Sequence, residues 1–268
     1  MFPSELPPVS NRLLYAYRVL AKWFSFFFFG TTTLILGILI FPVMRLFLHP
    51  KDRFKKYGRR FASSGIRFFV GLMHFIGIVD LEAGDRKFYR QLNSKIITAN
   101  HPSLLDTIML LSLIPNADFI VAAYHNNTIL RGVVGQLYIL SSLDFDDILK
   151  AASESLTQGN CLVIFPEGTR TPRYGKNIIK KGAVRISLDS GCPILPLHIG
   201  GTDKYGLGKK DPWTAFNPTD RYVYRISIGE ELQPEKYQHL SRPAAVRAMT
   251  NDLSAVLFPA KNTCEKEA

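Results

Sequence analysis

Trp23–Met44 runs for 22 residues without a charged side chain, and no other property of the chain restricts its folding as strongly. About 20 residues of helix span the hydrocarbon core of a bilayer. This segment must therefore enter a membrane or be covered by protein on all sides. It is long for a cleaved leader and lacks a small-x-small cleavage pattern, which predicts a retained anchor. Its threonines, its glycines and Pro42 weaken it as a spanning helix, so a segment dipping into one leaflet is the alternative. Residues 1–11 are Pro-rich and polar, and are expected to be poorly ordered.

Charge follows directly behind the apolar run. Lys and Arg number 33 against 22 Asp and Glu, a formal +11. Between Arg45 and Arg67 stand Arg45, Lys51, Arg53, Lys55, Lys56, Arg59, Arg60 and Arg67, opposed by Asp52 alone. A base near an anionic leaflet contributes about 1 kcal/mol, so this placement favours lipid over nucleic acid, for which no motif is present. A solvated basic loop is the plainer alternative. A second apolar stretch, Phe61–Val79, is interrupted by Arg67 and His74, which are costly at mid-bilayer. It reads either as an interfacial or re-entrant helix, with Arg67 reaching the headgroups, or as an ordinary core helix. Cys161, Cys192 and Cys264 show no metal-ligand spacing and cannot all pair, which suits a reducing compartment. The first two read as small core residues.

Beyond residue 80 short apolar runs alternate with amphipathic ones. Strands are predicted at Lys95–Ala99, Asp118–Ala122, Cys161–Phe165, Pro193–Ile199 and Arg221–Ile228. Helices are predicted at Leu104–Leu113, Asp146–Gln158 and Lys181–Asp189. Ser241 is expected to cap a last helix, with Pro243 in its first turn. Gly206–Asp220 reads as loop. The alternation predicts an α/β fold with a mixed sheet flanked by helices.

Two short blocks about sixty residues apart carry the chemistry. In Asn100-His101-Pro102-Ser103-Leu104-Leu105-Asp106, a single continuous helix would set His101 and Asp106 roughly 140° apart. Pro102 biases His101 toward extended backbone and is tolerated at a helix start. Across that bend the imidazole and carboxylate can meet, and the acid would fix the tautomer of a general base. The second block, Phe165-Pro166-Glu167-Gly168-Thr169-Arg170, follows an apolar strand, and open α/β sheets bind ligands at strand ends. Gly168 permits close backbone approach, Arg170 offers a fork for phosphate, and Lys180 and Lys181 add charge. A turn closed by an ordinary Glu–Arg ion pair is the plainer alternative. His198 is a second candidate base without a nearby acid in sequence, and reads as structural.

These blocks, with Lys181-Gly182-Ala183 and Ile194-Leu195-Pro196-Leu197 in order after them, resemble the glycerolipid acyltransferase family typified by 1-acylglycerol-3-phosphate acyltransferases. The resemblance covers roughly residues 65–230. It implies an acyltransferase domain at 80–268 behind a membrane-anchoring helical region at 1–79, a membrane-docking helical pair. It implies direct acyl transfer from acyl-CoA or acyl carrier protein to a lysolipid hydroxyl, without an acyl-enzyme. Carried over, His101 is the base and Asp106 its orienting acid. Glu167, Gly168, Thr169 and Arg170 are the acceptor site, and Lys181 is a phosphate contact. No metal or cofactor is expected beyond the acyl donor as co-substrate. The expected partners are membrane lipids and no nucleic acid, and the expected location is the cytoplasmic face of a membrane, the inner one in a bacterium. One block departs from the family: in Arg131–Ser142 no arginine follows the apolar run. That leaves a non-phosphatidate lipid acceptor as an alternative. Water as acceptor would make the chain a thioester or lipid hydrolase, although no Gly-x-Ser-x-Gly elbow is present. A catalytically idle scaffold would not need this set of residues.

Overall fold

A computed structural model describes residues 7–121, 135–141, 143–172 and 177–258. The chain enters helix where Asn11 accepts a hydrogen bond from the Leu14 amide at 3.0 Å, an N-cap. Helix α1 (Arg12–Ile35) leads through a π-helical stretch, Leu36–Ile40, into α2 (Phe41–Phe47). The wide turn has a local cause. Pro42 lacks an amide hydrogen and its ring crowds the carbonyl four residues back. Just before it the Phe41 amide bonds instead to Leu36, five residues back, and the rod continues. The result is one apolar helical rod of 36 residues, Arg12–Phe47, long enough to cross a membrane.

Helix α3 (Lys51–Phe75) returns along this rod. Tyr17 bonds to the Ile76 carbonyl at 2.9 Å, Phe28 stacks on Phe69, and Phe41 meets Phe54 edge-on, so the two run antiparallel. The helix holding the expected second segment thus begins ten residues earlier than its apolar run. Phe69, Val70 and Met73 are buried in the main core, whereas Phe61, Phe68 and Phe75 point outward. One of the eight bases expected at headgroups lies elsewhere. Arg59 is 4% exposed and forms an ion pair with Asp118, itself 2% exposed, while its Nε donates to the Leu137 carbonyl. That pair fastens α3 to the sheet.

Among the described residues the sheet has seven strands in the order β1-β7-β6-β2-β5-β3-β4. They are β1 (Val79–Glu82), β2 (Ile96–Ala99), β3 (Ala117–Val121), β4 (Ile139–Leu140), β5 (Cys161–Ile164), β6 (Ile194–Gly201) and β7 (Tyr222–Ile228). Among these described strands only β6 and β7 pair antiparallel, so the sheet is mixed. Helices α4 (Arg86–Gln91), α5 (Asp106–Leu113), α6 (Phe145–Thr157), α7 (Gly182–Ser190) and α8 (Arg242–Leu257) complete the fold. Alternating strand residues feed two cores. Ile97, Val163 and Leu195 pack with α3 and α5, while Ile96, Leu162 and Ile194 pack under α6, α7 and α8. Cys161 lies fully buried in the first of these cores, its thiol pushed up to about 11 by desolvation. Ser241 occupies the N-cap of α8, yet its side chain makes no capping bond.

Candidate active site

Strand register brings the two blocks together. Thr98 of β2 pairs with Ile164 of β5, and three residues beyond each the chains reach His101 and Glu167. Both therefore leave the sheet at the same level, at the C-terminal ends of neighbouring parallel strands. His101 Nδ1 lies 2.7 Å from Asp106 Oδ2. Asp106 opens α5, where the helix dipole favours a carboxylate. It is fully buried while the imidazole is 17% exposed. The carboxylate also accepts from the Ser103 amide at 2.7 Å and from the Ser103 hydroxyl at 2.6 Å. Because that hydroxyl donates to Asp106, the Tyr224 hydroxyl 2.8 Å away must donate to it. With an acid acceptor at Nδ1, Nδ1 carries the proton, and Nε2 is left as the basic nitrogen.

The second block supports the first from below. Phe165 stacks under the imidazole, centroids 4.1 Å apart. The His101 amide donates to Thr171 Oγ1 at 2.8 Å and to Glu167 Oε1 at 3.2 Å, and Thr171 Oγ1 donates to that same oxygen at 2.5 Å. The Thr171 amide returns a bond to the His101 carbonyl. Glu167 Oε2 is buried with no hydrogen-bond partner among the described residues. Desolvation raises the Glu167 carboxyl above the ordinary range, against the lowering effect of the bonds from Thr171 and His101.

The other expected residues divide. Gly168 adopts a left-handed φ of 65°, which favours glycine, and a Cβ there would lie 2.6 Å from the mobile end of the Lys180 side chain. The cation against this turn is thus Lys180. Lys181 stands at the N-cap of α7 and lines a separate cleft with Phe145, Leu149 and Arg185. Thr169 is exposed. Arg170 commits one arm to bracing, with Nη1 donating to the Leu207 and Gly208 carbonyls at 2.9 Å each. His198 is exposed on β6 with no acidic partner among the described residues. Of the divergent middle stretch, residues 131–134 and 142, and so Arg131, lie outside the described residues, as do His125 and Cys264.

Several contributors were invisible in the motifs. Lys204, 6% exposed, places its ammonium 4.7 Å from the Tyr224 ring centroid and donates to Val223 at 2.8 Å. Burial pulls it down to about 8, against the raising effect of Asp106 and Asp203. The loop from Lys204 to Asn217 also bonds to the histidine block, through the Leu104 amide and the Leu207 carbonyl. Lys22 of α1 anchors this loop: its ammonium donates to the carbonyls of Trp213 at 2.7 Å and of Ala215. Trp23 and Phe26 pack on Trp213 around it. The one available signal was a lysine placed directly before an uncharged run.

Residues 83–200, which hold every member of both blocks, match the Acyltransferase family model. The chain is 32% identical over 117 residues to a 1-acyl-sn-glycerol-3-phosphate acyltransferase of Cocos nucifera, a stretch covering 40% of the chain and 37% of that protein. It is 26% identical over 210 residues to the chloroplastic 1-acyl-sn-glycerol-3-phosphate acyltransferase LPAT1 of Arabidopsis thaliana, covering 76% and 56%. The chain thus spans about half or less of these curated relatives. The fold of the chain, its N-terminal helices included, matches the crystal structure of the 1-acyl-sn-glycerophosphate (LPA) acyltransferase PlsC from Thermotoga maritima. The TM-score is 0.62 at 21% identity, over 90% of this chain and 94% of that one.

Proposed function

We propose that this chain moves a fatty acyl group from an acyl thioester, on CoA or acyl carrier protein, to a hydroxyl of a lysophosphatidate-like acceptor at a membrane surface. The observation that carries the reading is the His101–Asp106 pair at 2.7 Å, tied through the His101 amide to the Glu167 block. The names of the relatives above support the acceptor class. His101 Nε2 takes the proton of the acceptor hydroxyl as its oxygen attacks the thioester carbonyl carbon. The new C–O bond forms, the C–S bond breaks, and the imidazolium returns the proton to the leaving thiolate. Asp106 holds the tautomer and stabilises the imidazolium. Glu167, Thr169 and Arg170 receive the acceptor headgroup, Gly168 lets it approach the backbone, and Lys180 supplies positive charge in place of the expected Lys181. Both reacting groups arrive with the substrates, so this scheme uses no cofactor. In this reading residues 1–79 hold the domain 80–268 on the cytoplasmic face.

Mass-spectrometric product analysis tests this. The full chain in lipid micelles receives labelled acyl-CoA or acyl carrier protein and a panel of lysolipids. Acylated lysophosphatidate is expected, with His101→Ala lowering the rate by at least about a hundredfold. Transfer confined to another lysolipid would make the divergent middle block a specificity change. Labelled free fatty acid without acceptor would replace transferase by hydrolase.

A further inference from the structure

We infer that a pocket between α3, β1 and α4, separate from the reaction centre, binds the phosphate of an anionic phospholipid; this rests on the membrane-surface reading above. The pocket has a volume of about 320 Å³ and is lined by Arg67, His74, Arg86 and Arg90, with Asp80 as its acid and Val70 in its wall. Asp80 is already engaged: Arg221 lies 3.0 Å from one oxygen and His74 3.3 Å from the other. Arg67, Arg86 and Arg90 line the cavity, and among the described residues none of the three has an ion pair of its own. The first two are oriented by bonds to Ser64 Oγ at 2.8 Å and to the Leu81 carbonyl at 3.4 Å. Guanidinium forks match phosphate oxygens in geometry and charge.

Position selects the source of that phosphate. On α3, Arg60, Arg67 and His74 recur every seven residues, and Phe61, Phe68 and Phe75 form the adjoining stripe. Phe68 is 67% and Phe75 87% exposed. A helix with an aromatic stripe beside a basic one lies in the plane of an interface, rings among acyl chains and cations among headgroups. Arg67 and His74 of the basic stripe line the pocket. It also touches Ser112 and Leu113 at the far end of α5 from Asp106, about 10 Å along that helix, so it is not the acceptor site.

Cosedimentation of the full chain with phosphatidylcholine vesicles, with and without phosphatidylglycerol, tests the inference. Arg86→Gln/Arg90→Gln is expected to weaken binding to phosphatidylglycerol vesicles about tenfold or more and to leave binding to phosphatidylcholine unchanged. Lys150→Gln/Arg247→Gln removes the same charge from the opposite face of the sheet and is expected to change either by less than about twofold. Equal losses in both variants, or none in the first, would overturn the site. Inorganic phosphate without vesicles, at matched ionic strength, is expected to leave the melting temperature unchanged. A rise that Arg86→Gln/Arg90→Gln abolishes would instead assign the pocket to free phosphate. Wild-type protein that binds neither vesicle would sink the membrane reading itself, a result distinct from a failure of the variants alone.

Discussion

Glu167 holds one oxygen in a three-way junction with the His101 amide and Thr171, and buries the other without a partner. Such an arrangement stabilises the loop less than an apolar side chain would, and suits a residue that completes its bonding with a substrate. It also makes stability depend on pH in a definite direction. The folded carboxyl titrates above the ordinary range because burial disfavours its charge, so the folded chain holds that proton more tightly than the unfolded chain. Wild-type stability from this group is therefore present at low pH and is lost as pH rises through the window above the ordinary glutamate value. Glu167→Gln cannot titrate. Its stability relative to wild type is expected to increase as pH rises above the ordinary glutamate value of about 4, read by thermal denaturation at several pH values. A flat or falling difference would contradict the buried, unpartnered oxygen. The same variant is expected to lower kcat/KM about tenfold or more, as loss of a charged hydrogen bond does.

Elements are joined by charges that the surrounding helices bury. Arg59 and Asp118 tie α3 to β3, and Ser155 of α6 adds a bond to the same carboxylate at 2.8 Å. Arg59→Met would leave that carboxylate buried and unpaired, at an expected cost of about 3 kcal/mol by urea denaturation. Adding Asp118→Leu should recover most of the loss, because the uncompensated charge is then gone. Lys22 acts at longer range. Through the carbonyls of Trp213 and Ala215 it fixes the loop whose Leu207 and Gly208 carbonyls hold Arg170. Lys22→Met keeps the length of the side chain but not its bonds. It is expected to leave the sheet folded, increase protease cleavage within residues 206–215, and slow acyl transfer about tenfold. Unchanged cleavage together with full activity would show that α1 does not steady the site.

For the molecule as a whole, the apolar rod presents most of its bulk outward. Leu20, Phe27 and Leu46 are 69%, 74% and 73% exposed, although α1 docks its other side on the domain. Burying each such side chain in lipid contributes about 2 kcal/mol. Replacing all three by serine should therefore move the protein from the vesicle pellet to the supernatant, and continued pelleting would locate membrane binding elsewhere. The apolar rod, the alternation of strands with helices and both chemical blocks were legible in sequence, because periodicity, charge-free length and a Pro-bent His-x4-Asp are properties of neighbouring residues. The predicted strands and helices beyond residue 80 held to within a few residues, whereas the two N-terminal helices begin ten or more residues before their apolar runs, and β1, α4 and β4 were too short to stand out. What only the tertiary structure decided are contacts between distant segments. They include the register that sets Glu167 beside His101, the Tyr224–Ser103 support behind Asp106, and Arg59 turned inward rather than toward lipid. They also include Lys22 seated 193 residues from Ala215. Strand pairing and burial create those neighbours, and a linear pattern holds no distance between residues that only the sheet brings together.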